Sequence, residues 1–438
     1  MLAQSDFVAW FRSAAPYIRG FSGQTFVIAV GGEVVEDGNF VELTHDLNLL
    51  ASVGVRIVLV HGARPQIEQA LKSQKLRQVY SDGVRVTDED ALSAVKAANG
   101  RLRLEIEALL SMGLPNTPLA GSQLRVTSGN FVIAKPMGVV DGVDMLYTGV
   151  VRRIRVNAIQ KHLDGGELVL VSPIGYSPTG EIFNLTHEDV ASNIAISLQA
   201  QKLIFLADTT GLKDVKGQLV REITTGDATK LLSKNLKANS KLERQVVHQS
   251  IHACENGVER AHLIDRTIDG AVLLELFTRE GIGTMISVDS LDEVRKASVD
   301  DIGGILQLIE PLEKKGILVR RSRELLEIEI NRFIVMEHDG FLVGCAALYP
   351  FSGTKAGELA CLVVHASFQN SGVGETLLRE IEKEAKRKKL SQLFVLTTAT
   401  SHWFIENGFR KSAVSTLPKK KADLYNYNRN SQVFVKKL

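Results

Sequence analysis

The stretch from 357 to 387 reads GELACLVVHASFQNSGVGETLLREIEKEAKR. Its apolar run at 358–364 predicts a strand, and the apolar spacing after Gly374 predicts an amphipathic helix. Between them Gln369-Asn370-Ser371-Gly372-Val373-Gly374 opens the helix. Glycines at 372 and 374 allow a phosphate to approach the backbone, and unpaired N–H groups with the helix dipole favour an anion there. The segment predicts a diphosphate cradle. Two glycines before a helix also fit a merely tight strand-to-helix turn, so the surroundings must decide.

Upstream, FIVMEHDGFLVGCAALYPF (333–351) predicts two strands joined by His338-Asp339-Gly340. Downstream come LFVLTT (393–398), a short helical pattern and Asn407-Gly408-Phe409. This order, with the Gln-x-x-Gly-x-Gly loop, resembles the GNAT N-acetyltransferases. The resemblance implies that Leu362 and Val364 offer backbone groups to pantetheine and that Gln369, Asn370, Gly372 and Gly374 surround the coenzyme A pyrophosphate. No G-x-G-x-x-G follows a first strand, which argues against NAD.

Acetyl transfer needs an amine freed of its proton, so a positioned base should help. Glu358 starts the strand and is the candidate. Thr397, at the end of the next strand, is the candidate proton donor to the leaving thiolate, with Tyr425 and Tyr427 as rivals. ILVRRSRE (317–324) and LYNYNRNSQVFVKKL (424–438) bring arginines to expected loop and strand ends, and the guanidinium fork suits carboxylates. These segments, with GELAC and VLTTATSHWF, resemble the bacterial N-acetylglutamate synthases. That resemblance implies that Arg321, Arg429 and Ser431 hold the carboxylates of glutamate and that Glu358 is the base.

Residues 24–287 alternate apolar runs (24–30, 55–60, 167–171, 202–208, 260–265) with helical patterns (42–53, 64–74, 187–200, 240–256, 269–277). Continuous apolar runs predict parallel strands covered on both faces, hence a doubly wound α/β sheet. Asn239 or Ser240 is the expected N-cap of the fourth helix. Residues 122–153 instead predict antiparallel hairpins turning at Ser128-Gly129-Asn130 and Asp141-Gly142. The segments YIRGFSGQTFVIAVGG, HGARPQI, SDGVRVTD, NLTHEDVA, KLIFLADTTGL and LLELFTREGIGTMI resemble the amino-acid kinase family, acetylglutamate kinases above all. The expected fold is an amino-acid kinase-like α/β/α sandwich over 1–290, a linker at 291–297, and a GNAT α+β domain over 298–438.

Compared with that family's active members, Ala29 and Val246 stand where lysines contact phosphate, Gly62-Ala63-Arg64 replaces a glycine triplet, and Glu188 replaces an aspartate. Phosphoryl transfer depends on positioned positive charge, so the first domain is expected to be catalytically silent. In arginine-sensitive relatives an N-terminal helix bearing a tyrosine packs near the segment written here FTREGIGTM. The resemblance thus implies that Tyr17, Glu280 and Gly283 contact arginine. Phe7, Trp10, Phe11 and Ala14 give that helix one apolar face suited to a neighbouring subunit. A homo-oligomer is expected, a hexamer by family resemblance.

The chain's 438 residues predict about two to three domains. Lys and Arg number 52 against 50 Asp and Glu, so neither nucleic acid nor an anionic membrane is an expected partner. Within 297–438 the balance is 21 to 16, a modest basic surplus suited to a phosphorylated ligand. Cys254, Cys345 and Cys361 lack C-x-x-C spacing, against a disulfide framework or thiolate zinc site. The start MLAQSDFVAWFRS carries Asp6 and Arg12 around a short apolar stretch, unlike a secretory leader, and a cytoplasmic location is expected. The expected activity is acetyl-CoA:L-glutamate N-acetyltransfer, the first step of arginine synthesis. Acetyl-CoA is co-substrate, L-arginine the effector with feedback inhibition its expected sign, and no metal or tightly bound cofactor is expected. The alternatives are an acyltransferase fused to a working kinase, and a non-catalytic sensor of arginine and acetyl-CoA.

Overall fold

The computed structural model describes residues 4–113, 120–122, 124–234, 240–278, 281–426 and 431–438. The chain divides into two compact units, Met1–Asp289 and Ser290–Leu438. Among the described residues no helix is long and apolar enough to cross a membrane.

The first unit begins with α1 (Gln4–Phe21) and β1 (Thr25–Val30), followed by α2 (Phe40–Ser52), β2 (Arg56–His61), α3 (Arg64–Ser73) and α4 (Glu89–Leu110). Then come β3 (Arg125–Ser128), β4 (Val132–Pro136), β5 (Gly149–Ile154), β6 (Glu167–Val171), β7 (Ile174–Tyr176), β8 (Ile182–Asn184) and α5 (His187–Leu198). The unit closes with β9 (Lys202–Ala207), β10 (Glu222–Thr224), α6 (Lys241–Glu255), β11 (Arg260–Asp265), α7 (Ala271–Phe277) and β12 (Thr284–Ser287). Eight strands form one sheet in the order β10-β12-β11-β9-β1-β2-β6-β3, parallel except at β11–β12.

Alternate residues of its central strands enter two separate cores. Val27, Ala29, Val58 and Phe205 face one side, while Phe26, Ile28, Leu59 and Ile204 face the other. Burial on both faces is why these strands read as unbroken apolar runs. Ser240 caps α6 through a capping box with Glu243, and Asn239 lies outside the described residues.

Two expectations for 122–153 differ. Asp141 (φ 49°) and Gly142 (φ 80°) do turn a small hairpin. Ser128-Gly129-Asn130 does not: β3 joins the main sheet parallel to β6, whereas β4 pairs antiparallel with β5 in a second sheet. Turn chemistry marks a reversal but carries no information about which strand receives the outgoing chain.

The second unit comprises β13 (Asp292–Lys296), α8 (Ile302–Lys314), α9 (Arg323–Glu329), β14 (Phe333–His338), β15 (Phe341–Pro350) and β16 (Ala356–Val364). After these come α10 (Val373–Arg387), β17 (Gln392–Thr397), α11 (Ser401–Glu406), β18 (Arg410–Ser412), α12 (Lys419–Ala422) and β19 (Gln432–Lys437). Its seven strands run β13-β14-β15-β16-β17-β19-β18. Leu377, Leu378 and Ile381 of α10 pack on one face; Ile305, Ile309 and Leu326 of α8 and α9 pack on the other. Residues 291–297, expected as a linker, contain the edge strand β13, which pairs antiparallel with β14. Arg295 makes this possible by bonding Asp301 at 2.7 Å and Glu337 at 2.6 Å, so a charged segment joins the sheet with its charge matched.

Candidate functional site

In the second unit β16 and β17 pair in parallel only at Ala356–Gln392, Gly357–Leu393 and Glu358–Phe394. Beyond Glu358 the two strands share no ladder pair among the described residues, while β17 continues along β19 to Thr397–Gln432. The sheet therefore splays, and among the described residues the β17-facing edge of β16 has no ladder partner from Leu359 to Val364. Peptide groups on such an edge need a partner, and an extended amide-bearing chain supplies one. Leu362 and Val364 both lie on this segment.

Within it the β15–β16 register slips: Cys345 faces Val363 but Ala347 faces Ala360. The extra residue is Cys361, at φ +50°. The bulge reverses the alternation, so Leu359, Leu362 and Val364 pack toward one core while Cys361 and Val363 enter the other.

Val364 also lies beside the start of α10, where a Cβ on Gly374 would meet Trp403 Cζ2 at 3.1 Å and Val364 Cγ2 at 3.8 Å. Gly374 thus lets the Trp403 ring pack close to the first turn of α10, and the indole donates to Glu375 Oε1 at 3.0 Å. Gly372 is the N-cap at φ +88° and supplies no side-chain cap, so the first-turn N–H groups are not consumed by one. Asn370 is also left-handed, at φ +65°. Gln369, Asn370 and Gly372 are exposed. A 15-residue helix opening without a cap beside an unpaired strand edge can receive an anionic group and the chain attached to it.

Glu358 sits at the vertex of the splay with its side chain 13 % exposed, and Lys421 Nζ lies 2.8 Å from its Oε2. Directly across the β15–β16 ladder from Glu358 is Tyr349. Its hydroxyl donates to Glu329 Oε2 at 2.7 Å, and Arg332 stacks over its ring at 4.7 Å. Burial and the bond to Glu329 push the Tyr349 phenol well above its ordinary pKa.

Arg321 faces the same cluster. Burial opposes its charge, but Cys361, Tyr349 and Glu358 together outweigh burial and raise its pKa. Its backbone N–H is held by Glu313 Oε1 at 2.9 Å and its Nη1 donates to the Val319 carbonyl at 3.0 Å. Ser431 is buried, and its carbonyl accepts the Tyr425 hydroxyl at 2.6 Å. Arg429 and Tyr427 lie outside the described residues. Thr397 is buried, and its Oγ1 accepts N–H groups of Ala399 at 3.3 Å and Thr400 at 3.2 Å. Those bonds use its two lone pairs, and its hydroxyl proton faces the Thr400 hydroxyl oxygen, 3.2 Å away.

The structure thus brings Glu358, Arg321, Cys361 and Tyr349 together. Sequence reasoning missed Tyr349, Cys361 and Lys421. Only Tyr349 carried a usable signal, since counting across the hairpin from Glu358 reaches it.

In the first unit a cavity of about 310 Å³ is lined by Gly31, Gly62, Arg64, His187, Glu188 and Val246 among others, and no described lining residue is a lysine. Ala29 is buried in the sheet between Val60 and Phe205. Arg64 does not replace the missing charge freely: Glu68 Oε1 holds its Nε at 3.0 Å, and the Tyr80 ring centroid lies 5.2 Å from Cζ.

Tyr17 and Gly283 are tied to one neighbourhood through the end of α1. The Tyr17 and Phe21 rings are 6.1 Å apart, and Phe21 packs on Phe277 at 5.4 Å. Lys202 Nζ lies 5.4 Å from the Phe21 ring and 3.3 Å from His262 Nε2. His262 Nδ1 in turn meets Glu275 Oε1 at 2.7 Å, and Glu275 Oε2 accepts N–H groups of Ile282 at 2.7 Å and Gly283 at 2.9 Å. Burial and then the Lys202 ammonium lower His262 to about 4, so neutral His262 donates to Glu275. Burial alone would raise Glu275, but His262 and the two N–H groups pull it down to about 2. Lys202, His262 and Glu275 were not singled out from sequence, being scattered over three elements. Glu280 lies outside the described residues.

Comparisons with known proteins agree with both halves of this description. The amino acid kinase family model matches residues 24–265 and the GNAT acetyltransferase domain model residues 329–411. An amino-acid acetyltransferase of Ralstonia nicotianae is 48% identical over 99% of this chain and 96% of its own length. The crystal structure of N-acetylglutamate synthase from Neisseria gonorrhoeae complexed with coenzyme A and L-arginine is similar at a TM-score of 0.87, with 39% identity over 99% of both chains. A structure of the same enzyme complexed with coenzyme A and N-acetyl-glutamate gives a TM-score of 0.62 at the same identity and coverage.

Proposed function

Because the chain belongs to the amino-acid acetyltransferases, the family of the N-acetylglutamate synthases, we propose that its residues 290–438 carry the reacting site and its residues 1–289 an arginine-responsive one. The protein transfers the acetyl group of acetyl-CoA to the amine of L-glutamate, giving N-acetyl-L-glutamate at the entry to arginine synthesis. The splay of β16 from β17 beyond Glu358 is the observation that carries the site assignment.

Pantetheine pairs with the free edge of β16 at Leu362 and Val364, and the pyrophosphate rests on Gln369, Asn370, Gly372 and Gly374 at the start of α10. Arg321, Arg429 and Ser431 hold the carboxylates of glutamate. Its amine nitrogen attacks the thioester carbonyl carbon, forming the C–N bond as the C–S bond breaks. Glu358 takes the amine proton, and Thr397 donates one to the departing sulfur. The clustering of Arg321 with Glu358 supports this pairing of specificity and base, since both ends of one amino acid must be read together.

The first unit does not phosphorylate. The buried Ala29 and the apolar Val246 supply no cation, and the arginines that line the cavity are committed to carboxylates, Arg64 and Arg85 to Glu68 and Arg266 to Asp37 and Asp208, whereas phosphoryl transfer needs positive charge aimed at the phosphoryl group. Arginine binds instead near Tyr17, Glu280 and Gly283. The gonococcal complex with L-arginine supports an arginine site in the family, and the Lys202–His262–Glu275 relay beside Gly283 supports this placement. Exposed Trp10 and Phe11 on α1, at 49% and 55%, suit a contact with a second copy, and the assembly is a homo-oligomer, a hexamer in line with the family.

Thiol release from acetyl-CoA with glutamate or glutamine as acceptor tests the reading. Glutamine leaves a cation of the clamp unpaired, a penalty of about 1–3 kcal/mol, so kcat/KM should fall about 5- to 150-fold. Equal values for the two acceptors would remove the arginine clamp.

A further inference from the structure

Of the three consecutive lysines 419–421, Lys419 and Lys420 are exposed while Lys421 turns inward, 28 % exposed, to Glu358. The packing enforces this. Leu417 is buried with Ala356, Phe394 and Val433, and Ala422 and Tyr425 pack against the same cluster, which seats α12 on β16, β17 and β19. Phe394 is the ladder partner of Glu358, so the apolar anchor and the ion pair lie on adjoining positions.

Among the described residues the Glu358 carboxylate has one close cationic contact, Lys421, although Arg321 lies near enough to respond to its charge. A half-buried carboxylate between two cations will pair with whichever is held closer. If it paired with Arg321, the guanidinium would be neutralised before a substrate carboxylate arrived.

We propose that Lys421 is a positioning residue that holds Glu358 away from Arg321, so that the base and the carboxylate clamp remain separately available to the acceptor amino acid. This rests on the assignment of Glu358 and Arg321 given above. Lys421 acts on glutamate binding only through the negative charge of Glu358. Lys421→Met lets Glu358 swing to Arg321, and Lys421→Arg preserves the separation.

The experiment measures glutamate affinity by calorimetry on the enzyme saturated with coenzyme A, alongside kcat from thiol release. The proteins are wild type, Lys421→Met, Lys421→Arg, Glu358→Gln, the Lys421→Met/Glu358→Gln double variant and Lys420→Met. Lys421→Met should weaken glutamate binding about tenfold with coenzyme A affinity unchanged, and Lys421→Arg should restore most of it. In the Glu358→Gln background the same substitution should have no effect on glutamate binding, because neutral glutamine cannot trap Arg321. Lys420→Met should behave as wild type. Unchanged glutamate affinity in Lys421→Met would overturn the proposal, as would a loss that persists beside Glu358→Gln, which would mean that Lys421 contacts the substrate itself. Unchanged kcat in Glu358→Gln would separately remove the base assignment while leaving the binding cycle to judge Lys421.

Discussion

Tyr349 and Glu358 face each other directly across the β15–β16 ladder, one committed by its hydroxyl to Glu329 and the other ion-paired to Lys421. Each is tied at its polar end, so the space between them and Arg321 is shaped by fixed groups. Preorganised polar groups cost little further ordering when the substrate binds.

Glu358→Gln should lower kcat by roughly 10²- to 10⁴-fold, the usual worth of a general base. The amide keeps the size and hydrogen bonding of the carboxylate, so acetyl-CoA affinity should stay within about twofold of wild type. Steady-state kinetics with calorimetric coenzyme A binding checks both. Full activity at neutral pH would return Glu358 to a strand-end role.

Gly372→Val should raise the KM for acetyl-CoA about tenfold and leave glutamate affinity unchanged. The position is left-handed at φ +88°, where a β-branched residue costs about 1–2 kcal/mol, and the side chain would crowd the anion's approach. Unaltered acetyl-CoA kinetics would place the pyrophosphate elsewhere.

Glu280→Ala should abolish the response to arginine while leaving the uninhibited rate nearly intact. Arginine acts only through a difference in affinity between conformations, about 1–3 kcal/mol in typical couplings. The measurement is thiol release against arginine concentration, beside ATP consumption with N-acetylglutamate. An unchanged arginine curve would sink the site, and stoichiometric ATP use would sink the silent kinase.

Asp46→Asn should stabilise the protein at pH 8 by up to about 4 kcal/mol and do almost nothing at pH 4. Burial, then Asp269 and Glu42, raise Asp46 from 3.8 to about 7. The folded state therefore binds this proton more tightly than the unfolded state. Stability from this group is present below about pH 4 and is lost as pH rises toward 7. Thermal unfolding from pH 4 to 8 tests it, and parallel curves for the two proteins would contradict the assignment.

Part of the candidate site was legible in local spacing, and the roles of Arg321, Arg429 and Ser431 were implied by the family resemblance. The loop from Gln369 to Gly374 announces a helix start that leaves N–H groups free, whatever the rest of the chain does. That Ala29 and Val246 stand where lysines would be was legible only through the resemblance to the amino-acid kinases. Lys421 was illegible: it is one of three adjacent lysines, and only the burial of Leu417 beneath α12 turns it alone toward Glu358. The slip at Cys361 was hidden too, since an apolar run looks the same with or without a bulge.

By itself the sequence determined two α/β units, the parallel strands of the first, and the strand–loop–helix that opens the second, since periodicity and backbone preference act over a few residues. Tertiary structure alone decided that β3 joins the main sheet, that 292–296 is an edge strand, and that β16 parts from β17 after Glu358. It also decided which cation holds Glu358. Those outcomes depend on which of several compatible partners lies within about 3–5 Å once the chain has packed, and pairing energies between distant segments leave no trace in local spacing.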